Sequence, residues 1–269
     1  MANSLETTQP ETTLPEPILT SDIVYKTVGG QPLHLDILRP APAPESTTPQ
    51  APLPAIVEIH GGGWNSGEKD GNRNRVWAHH GFFTISINYR YSTEAPFPAQ
   101  IEDCRDALRW LRDQAQIYNI DTARIGAWGH SAGGHLAALL GTAGDVQAVV
   151  DICGPTDLTP PKSYVYEPDR YVEQLVGGPL NERLDLVRQA NPITHIKAAA
   201  PPFLIIHARD DALVPFHHSL WLHDALKEAG ADVALLAFED GGHGLEGHWG
   251  GSEGTIEREM LSFFQRHLR

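Results

Sequence analysis

The chain has 269 residues, of which 41% are hydrophobic, and includes 25 glycines and 21 prolines. This length suits one catalytic domain built on a single core and requires no second domain. The formal net charge of −14, from 20 basic and 34 acidic residues, opposes binding to nucleic acid or to an anionic membrane surface. No apolar run approaches the ~20 residues that span a bilayer, so we expect neither a membrane protein nor a nucleic-acid-binding protein.

The N-terminal segment, residues 1–20, is polar and contains three prolines and two threonine pairs, a composition typical of a flexible tail. It has no basic stretch followed by an apolar one, so it does not resemble a signal peptide. We therefore expect a cytoplasmic protein, or a secreted one if a leader has been removed. Residues 21–269 are predicted to form the catalytic domain.

Strand-like and helix-like segments alternate along this domain. The first two predicted strands form an antiparallel hairpin, and a proline-rich loop at 40–54 joins them to the core. Later strands alternate with helices, which predicts an α/β fold with a mostly parallel eight-stranded sheet covered on both faces. The predicted strands are 23–28, 33–38, 55–60, 82–87, 124–128, 146–152, 203–207 and 233–238, and the predicted helices are 99–118, 131–142, 216–229 and 253–268.

The most informative stretch is Gly129-His-Ser-Ala-Gly133, which lies between an apolar run and a helix-like run. A serine on a sharp turn from strand to helix is the context of a nucleophile elbow. Glycines on both sides of the serine let the strand and the helix pass close together because they lack a Cβ atom. A bare G-x-S-x-G also occurs by chance, so Ser131 becomes a predicted nucleophile only if its partners are present.

A second motif, His60-Gly-Gly-Gly-Trp64, follows the apolar strand that ends at Ile59. Consecutive glycines can turn backbone N–H groups toward a point beside Ser131. The backbone N–H groups of Gly62, Gly63 and Ala132 are therefore the predicted oxyanion hole.

An acid and a base should follow the serine in that order, each on a loop after a strand. Asp211 follows the strand at 203–207 and His243 follows the strand at 233–238. We predict that His243 is the general base and that Asp211 orients it. Asp210 and His248 are the nearest rivals; Asp210 is expected to hydrogen-bond a turn, and His248 to lie at the rim.

Four ordered motifs are now in place: His60–Trp64, Gly129–Gly134, Asp211–Pro215 and Gly242–Gly244. On these motifs the chain resembles carboxylesterases of the α/β-hydrolase fold, and among them the feruloyl-esterase-like and hormone-sensitive-lipase-like esterases. The resemblance implies an acyl-enzyme mechanism without a cofactor or a metal. It also implies substrates such as short acyl or aryl esters, including acetylated or feruloylated sugars.

In this family an insertion caps the pocket, and residues 155–200 interrupt the alternation of strands and helices here. Trp64 and Phe216 are predicted to flank the substrate, although a core position for Trp64 is equally consistent with the sequence. Candidate lining residues in the insertion are Tyr164, Tyr166, Tyr171, Leu175 and Val176.

Three other functions remain open at this stage. An arylformamidase or another amidase would use the same motifs, and a peptidase of the prolyl-oligopeptidase type would share the serine motif but needs a propeller domain. A non-catalytic binding module typically loses a member of the triad, and this sequence retains all three.

A few residues outside the motifs also carry predictions. Glu58 interrupts an apolar strand, and we expect alternation to point it toward a helix edge or solvent, near Lys69 or an arginine. Cys104 and Cys153 lack metal-ligand spacing and are expected to be free thiols. The apolar face of the C-terminal helix is expected to pack on the sheet, while a homodimer through this face stays open; it comprises Ile256, Met260, Phe263 and Phe264.

Overall fold

The computed structural model describes residues 15–41, 51–160, 168–250 and 254–269. Its strands are β1 Ile18–Val28, β2 Gln31–Arg39, β3 Leu53–Ile59, β4 Phe83–Ile87, β5 Ile120–His130, β6 Ala148–Ile152, β7 Phe203–Ala208 and β8 Val233–Phe238. They form one sheet in the order β1-β2-β4-β3-β5-β6-β7-β8. β1 and β2 pair antiparallel, as do β2 and β4, and the other neighbours are parallel. The predicted eight-stranded, mostly parallel sheet is confirmed.

The N-terminal boundary differs from the prediction. β1 begins at Ile18, inside the segment predicted to be a flexible tail, and residues 18–20 pair with the end of β2. The tail prediction was therefore wrong for these residues, because hydrogen bonding to β2 orders a segment whose composition alone favours a tail. Residues 1–14 and most of the proline-rich loop at 40–54 lie outside the described residues.

The helices include the four that were predicted. The helix predicted over 99–118 is divided at Gln114, and α1, α5 and α6 were not predicted. None of the described helices is both long and apolar enough to cross a bilayer. The α-helices are α1 Arg75–His79, α2 Ala99–Asp113, α3 Ala115–Tyr118, α4 Ala132–Ala143, α5 Pro168–Val176, α6 Leu184–Ala190, α7 His217–Glu228 and α8 Thr255–Leu268, with short 3-10 turns at Gly71–Asn74, Leu180–Glu182 and Pro192–His195.

Apolar layers cover both faces of the sheet. Side chains alternate along β5, so Ile125 and Ala127 pack with α2, α4 and α7, whereas Trp128 packs with α1 and α8 on the opposite face. The predicted apolar face of α8 is buried: Ile256, Met260 and Phe264 are fully buried and Phe263 is 8% exposed. The prediction that α8 packs on the sheet is confirmed.

Glu58 in β3 was expected at a helix edge or in solvent, near Lys69 or an arginine; an arginine does lie near it, but the side chain is buried. It is 1% exposed, because both faces of a central strand in this sheet are covered. Its carboxylate accepts a hydrogen bond from the Ser86 hydroxyl and lies 3.7 Å from an Arg73 guanidinium nitrogen. Lys69 pairs with Asp36 instead, at 2.7 Å. Burial raises the pKa of Glu58 to about 7, against the lowering effect of Ser86 and Arg73.

This raised pKa predicts a pH-dependent stability. Between pH 4.5 and about 7 the folded chain holds the Glu58 proton and the unfolded chain releases it, so wild-type stability falls as pH rises through this window. The loss is on the order of 3 kcal/mol at higher pH. Glu58→Gln does not ionise, so its melting temperature should rise relative to wild type between pH 4.5 and 8. Thermal melts of both proteins across this pH range test the prediction. A difference in melting temperature that does not change with pH would contradict the raised pKa of Glu58.

Candidate active site

Ser131 lies on the turn from β5 to α4 in a conformation that side chains rarely adopt. Its φ of 58° and ψ of −121° are strained for a residue other than glycine. The surrounding backbone holds it there, because the Ser131 N–H donates to the Ile152 carbonyl at 2.8 Å and the Ser131 carbonyl accepts from the His135 N–H at 3.0 Å. A strained backbone fixed by its neighbours presents the Ser131 hydroxyl at the carboxyl end of the sheet.

The flanking glycines allow this turn because no side chain would fit. A Cβ atom on Gly133 would lie 1.9 Å from the Ile59 carbonyl oxygen, and one on Gly129 would lie 2.3 Å from the Gly133 carbonyl carbon. Helix α4 can therefore approach β3 and β5 only with glycine at both positions. The two glycines of the sequence motif are therefore the residues that permit the strained turn at Ser131.

Asp211 and His243 meet beside this turn. His243 Nδ1 donates to Asp211 Oδ2 at 2.7 Å. The other carboxylate oxygen, Oδ1, accepts from the N–H groups of Leu213 and Val214 at 2.8 and 2.9 Å. Burial opposes the charged form of Asp211, but hydrogen bonds from His207, His243 and the backbone more than offset it and hold the pKa of this carboxyl well below its ordinary value. Asp211 is therefore an ionised acceptor for His243 at neutral pH.

His207 is a residue to which sequence reasoning assigned no chemistry. Its side chain is fully buried at the end of β7, and its Nε2 donates to Asp211 Oδ2 at 3.0 Å and to the Val214 carbonyl at 2.9 Å. Its Nδ1 bonds the Ser219 hydroxyl at 2.7 Å. His207 thus holds the same carboxylate oxygen that receives His243, and it fixes where that oxygen lies.

Three side chains anchor the loop that carries His243. His130 Nε2 donates to the His243 carbonyl at 2.7 Å, and the Cys153 thiol lies 3.6 Å from the same oxygen. Asp210 Oδ1 accepts from the Gly242 N–H at 2.9 Å, so Asp210 bonds the loop that carries His243 and not the turn of its own loop, where it was expected. These contacts fix the backbone on both sides of the imidazole.

The side chains of His130, Cys153 and His243 have metal-binding atoms within 4.8 Å of one another. Burial raises the pKa of the Cys153 thiol well above its ordinary value, which disfavours the thiolate that a metal needs. His130 Nε2 is already committed to a carbonyl. The chemistry of these donors does not fit a metal site.

Ser131 and His243 line one pocket of about 270 Å³ with the three residues predicted to supply the oxyanion hole, Gly62, Gly63 and Ala132. The described residues that line it are Gly62, Gly63, Trp64, Asn65, Ser66, His130, Ser131, Ala132, Pro155, Tyr171, Leu213, Val214 and His243.

The two aromatic residues predicted to flank the substrate occupy different places. Trp64 lines the pocket but is only 2% exposed, and its indole N–H donates to His135 Nδ1 at 3.1 Å. Phe216 is not among the described residues that line the pocket. Its ring lies 5.5 Å from the His207 ring, and the Arg209 guanidinium lies 4.7 Å above it. A direct contact between Phe216 and substrate stays a prediction.

Two described residues of the insertion at 155–200 line the pocket, Pro155 and Tyr171. Tyr171 in α5 lines it, whereas Leu175 and Val176 are buried in the core. Tyr164 and Tyr166 lie outside the described residues. A serine on a strained turn, a histidine bonded to a buried carboxylate, and glycine backbone at the same pocket can together support nucleophilic attack on a carbonyl.

Comparison with known proteins identifies the family of this chain. The sequence profile of the BD-FAE family matches residues 35–226. LipM of Mycobacterium tuberculosis, a probable carboxylic ester hydrolase, is 30% identical over 227 residues, covering 77% of this chain and 52% of LipM. The chain spans about half the length of the curated relatives it matches, since the corresponding shares of esterases LipQ and LipC are 55% and 54%.

Solved structures with the same fold cover nearly the whole chain. A truncated carbohydrate esterase from gut microbiota has a TM-score of 0.78 and 29% identity, with 95% of this chain and 97% of that one covered. Esterase 2 of Thermogutta terrifontis, phosphorylated by paraoxon, has a TM-score of 0.71 and 25% identity, with 93% and 92% covered. The same esterase has been solved with bound propionate and with bound butyrate. The family match and these structural neighbours together show that the chain belongs to the BD-FAE family of carboxylesterases with the α/β-hydrolase fold.

Proposed function

We propose that this chain hydrolyses carboxylic esters through an acyl-enzyme intermediate on Ser131. The observation that carries the proposal is that Ser131 lies on a strained turn in the same pocket as His243, whose Nδ1 is bonded to the buried carboxylate of Asp211. His243 then takes the Ser131 proton and returns it to the departing alcohol, while Asp211 holds the imidazole tautomer and stabilises the imidazolium. Water releases the acid in a second, mirrored step.

The backbone N–H groups of Gly62, Gly63 and Ala132 stabilise the developing oxyanion in this proposal. All three residues line the pocket, and both glycines have the positive φ angles that such a loop requires, 112° and 57°. Preorganised N–H donors stabilise charge that appears only in the transition state, so they raise kcat more than they improve binding.

The substrates we propose are esters of small or aromatic acids, including acetyl and feruloyl esters of sugars. Support comes from the pocket volume of about 270 Å³, which limits the acyl group, and from the relatives. A structural neighbour is a carbohydrate esterase, and another binds propionate and butyrate. Localisation and a homodimer remain predictions from sequence.

Initial rates on p-nitrophenyl acetate, butyrate, octanoate and decanoate, with methyl ferulate alongside, test this proposal. We expect the acetate, the butyrate or the ferulate to be the best substrate, with a steep fall toward decanoate. An N-formyl aromatic amide in the same series tests the arylformamidase alternative. Turnover of the amide without turnover of any ester would contradict the proposed function, and so would an enzyme inactive on the whole series.

Gly62 offers a test of the oxyanion loop. A Cβ atom there would lie 2.2 Å from the Ser66 carbonyl oxygen, and the φ of 112° is itself unfavourable for alanine. Gly62→Ala should therefore displace the loop and lower kcat for p-nitrophenyl acetate by about 10²- to 10³-fold.

A matched control is Gly29→Ala, at a φ of 56° in the exposed turn between β1 and β2, where an added Cβ would meet nothing within 4 Å. It adds a Cβ atom to another glycine of positive φ, one that does not line the described pocket, and should keep wild-type turnover. Equal losses in both variants would show that backbone strain alone, without the oxyanion loop, explains the effect.

A further inference from the structure

A second cavity, of about 300 Å³, lies beside the catalytic pocket and has not been assigned a role. Three of the six tryptophans of the chain meet there, although they come from α1, β5 and the loop after His243. Two opposite charges accompany them. The described residues that line this aromatic cavity are Arg73, Trp77, Trp128, His130, Gly244, Trp249 and Glu257.

The aromatic cavity lies next to the reacting groups. His130 lines both the catalytic pocket and the aromatic cavity, and its ring centroid is 4.9 Å from that of His243. Gly244, which also lines the cavity, directly follows His243 in the chain. In the proposed reaction the departing alcohol takes its proton from His243, so the alcohol half of the ester must lie on the His243 side of Ser131.

Hydrogen bonds fix the indole rings that form the walls. Trp128 donates from its Nε1 to Asn74 Oδ1 at 3.1 Å, and Trp249 donates from its Nε1 to the Gly244 carbonyl at 2.8 Å. The ring centroids of Trp128 and Trp249 are 6.5 Å apart at an interplanar angle of 48°, and those of Trp77 and Trp128 are 6.3 Å apart at 76°. The cavity is thus a preformed aromatic corner, which lowers the entropic cost of binding a ring.

The polar groups at the aromatic cavity indicate what kind of ring it would bind. Arg73, with a side chain 52% exposed, can donate hydrogen bonds, and the Glu257 carboxylate can accept them. The buried Trp77 indole N–H has no hydrogen-bond partner among the described residues. An alkyl chain would satisfy none of these groups. A pyranose ring would present C–H faces to the indoles and hydroxyl groups to both charges.

We propose that the aromatic cavity is the subsite for the sugar ring that forms the alcohol half of the ester. This inference rests on the proposed esterase function, and it names the part of the substrate that lies beyond His243. Trp249, which is only partly buried, receives the C–H face of the sugar, the buried Trp77 and Trp128 rings form the floor of the cavity, and Arg73 and Glu257 bond the hydroxyls. The acyl group lies in the catalytic pocket.

The test compares two acetate esters that differ only in the alcohol. One is an acetylated methyl pyranoside, and the other is ethyl acetate, whose alcohol is too small to fill the cavity. We expect Trp249→Ala and Glu257→Ala each to lower the ratio of the two kcat/KM values, sugar acetate over ethyl acetate, by about tenfold, because they remove stacking area and a hydrogen-bond acceptor that only the sugar uses. Glu259→Ala, also on α8 but absent from the described cavity lining, is the matched control and should keep the wild-type ratio.

A binding measurement separates the subsite from the chemistry. Methyl pyranoside titrated into Ser131→Ala should change the indole fluorescence, and the change should be lost in Ser131→Ala/Trp249→Ala. If both cavity variants hydrolyse both esters and keep the wild-type ratio of kcat/KM values, the aromatic cavity is not a sugar subsite. That result would leave the proposed esterase function standing. A sugar acetate and ethyl acetate that both resist wild-type enzyme would instead overturn the proposed function.

Discussion

Replacing Ser131 with alanine is expected to lower kcat for p-nitrophenyl acetate by roughly 10⁴- to 10⁶-fold, because the acyl-enzyme can no longer form. His243 and Asp211 act only through the serine hydroxyl, so they cannot compensate. Substrate binding should change little, since the hydroxyl is a small part of the pocket lining. Single-turnover and steady-state rates on the same ester measure both effects.

The fold should tolerate this change. Ser131 has a φ of 58°, which alanine adopts no more readily than serine, and only its hydroxyl oxygen is lost. Melting temperatures of the two proteins should agree within a few degrees. Residual turnover at the wild-type rate would contradict a serine mechanism, whereas a large drop in melting temperature would attribute the loss to unfolding.

Asp211→Asn should be the second severe variant, with kcat lowered by about 10⁴-fold. The amide that replaces the carboxylate no longer offers a charged acceptor to both His243 Nδ1 and His207 Nε2, which now approach Oδ2 at 2.7 and 3.0 Å. His243 then loses its fixed tautomer and the charge that stabilises its imidazolium. The pH dependence of kcat/KM for p-nitrophenyl acetate is the measurement, because the variant should recover part of its activity at high pH.

Asp210 provides the matched control for Asp211. It is the adjacent acidic residue, and its contact in the structure is with the Gly242 N–H at 2.9 Å. Asparagine can accept the same hydrogen bond through its side-chain oxygen, so Asp210→Asn should cost less than tenfold in kcat. If Asp210→Asn were the severe variant and Asp211→Asn the mild one, the acid would have been assigned to the wrong residue.

Local motifs explain why much of the site could be predicted from the sequence. The turn at Ser131 is recognisable because the glycines that permit it, Gly129 and Gly133, lie within two residues of the serine in the sequence, although it also packs against the distant Ile59 and Ile152 carbonyls. Asp211 and His243 each follow an apolar strand, and parallel strands bring their carboxyl ends to one edge of the sheet. Spacing and topology together therefore indicate which residues meet.

Features that depend on burial or on distant packing could not be predicted in this way. Alternation suggested an outward-facing Glu58, but both faces of a central strand are covered, so the side chain is buried against Ser86. His207 ends a strand as an ordinary histidine would, and only the folded loop brings Asp211 back onto its ring. Sequence spacing gives no signal for either contact.

The aromatic cavity is another feature that could not be predicted from the sequence. Its tryptophans are separated by more than fifty residues along the chain at each step, and each alone is consistent with an ordinary core position. They meet because β5 lies between α1 and the loop that follows β8. Only the assembled fold shows that their indole rings face one cavity beside His243.

The central claim is that Ser131 is the nucleophile, and covalent labelling with paraoxon tests it most directly. Incubation of wild-type chain with this organophosphate, followed by intact-mass measurement and peptide mapping, should show one diethylphosphoryl group on the peptide that contains Ser131, with esterase activity lost in parallel. Ser131→Ala should remain unlabelled. Stoichiometric label on another residue, or full activity in labelled protein, would contradict the account.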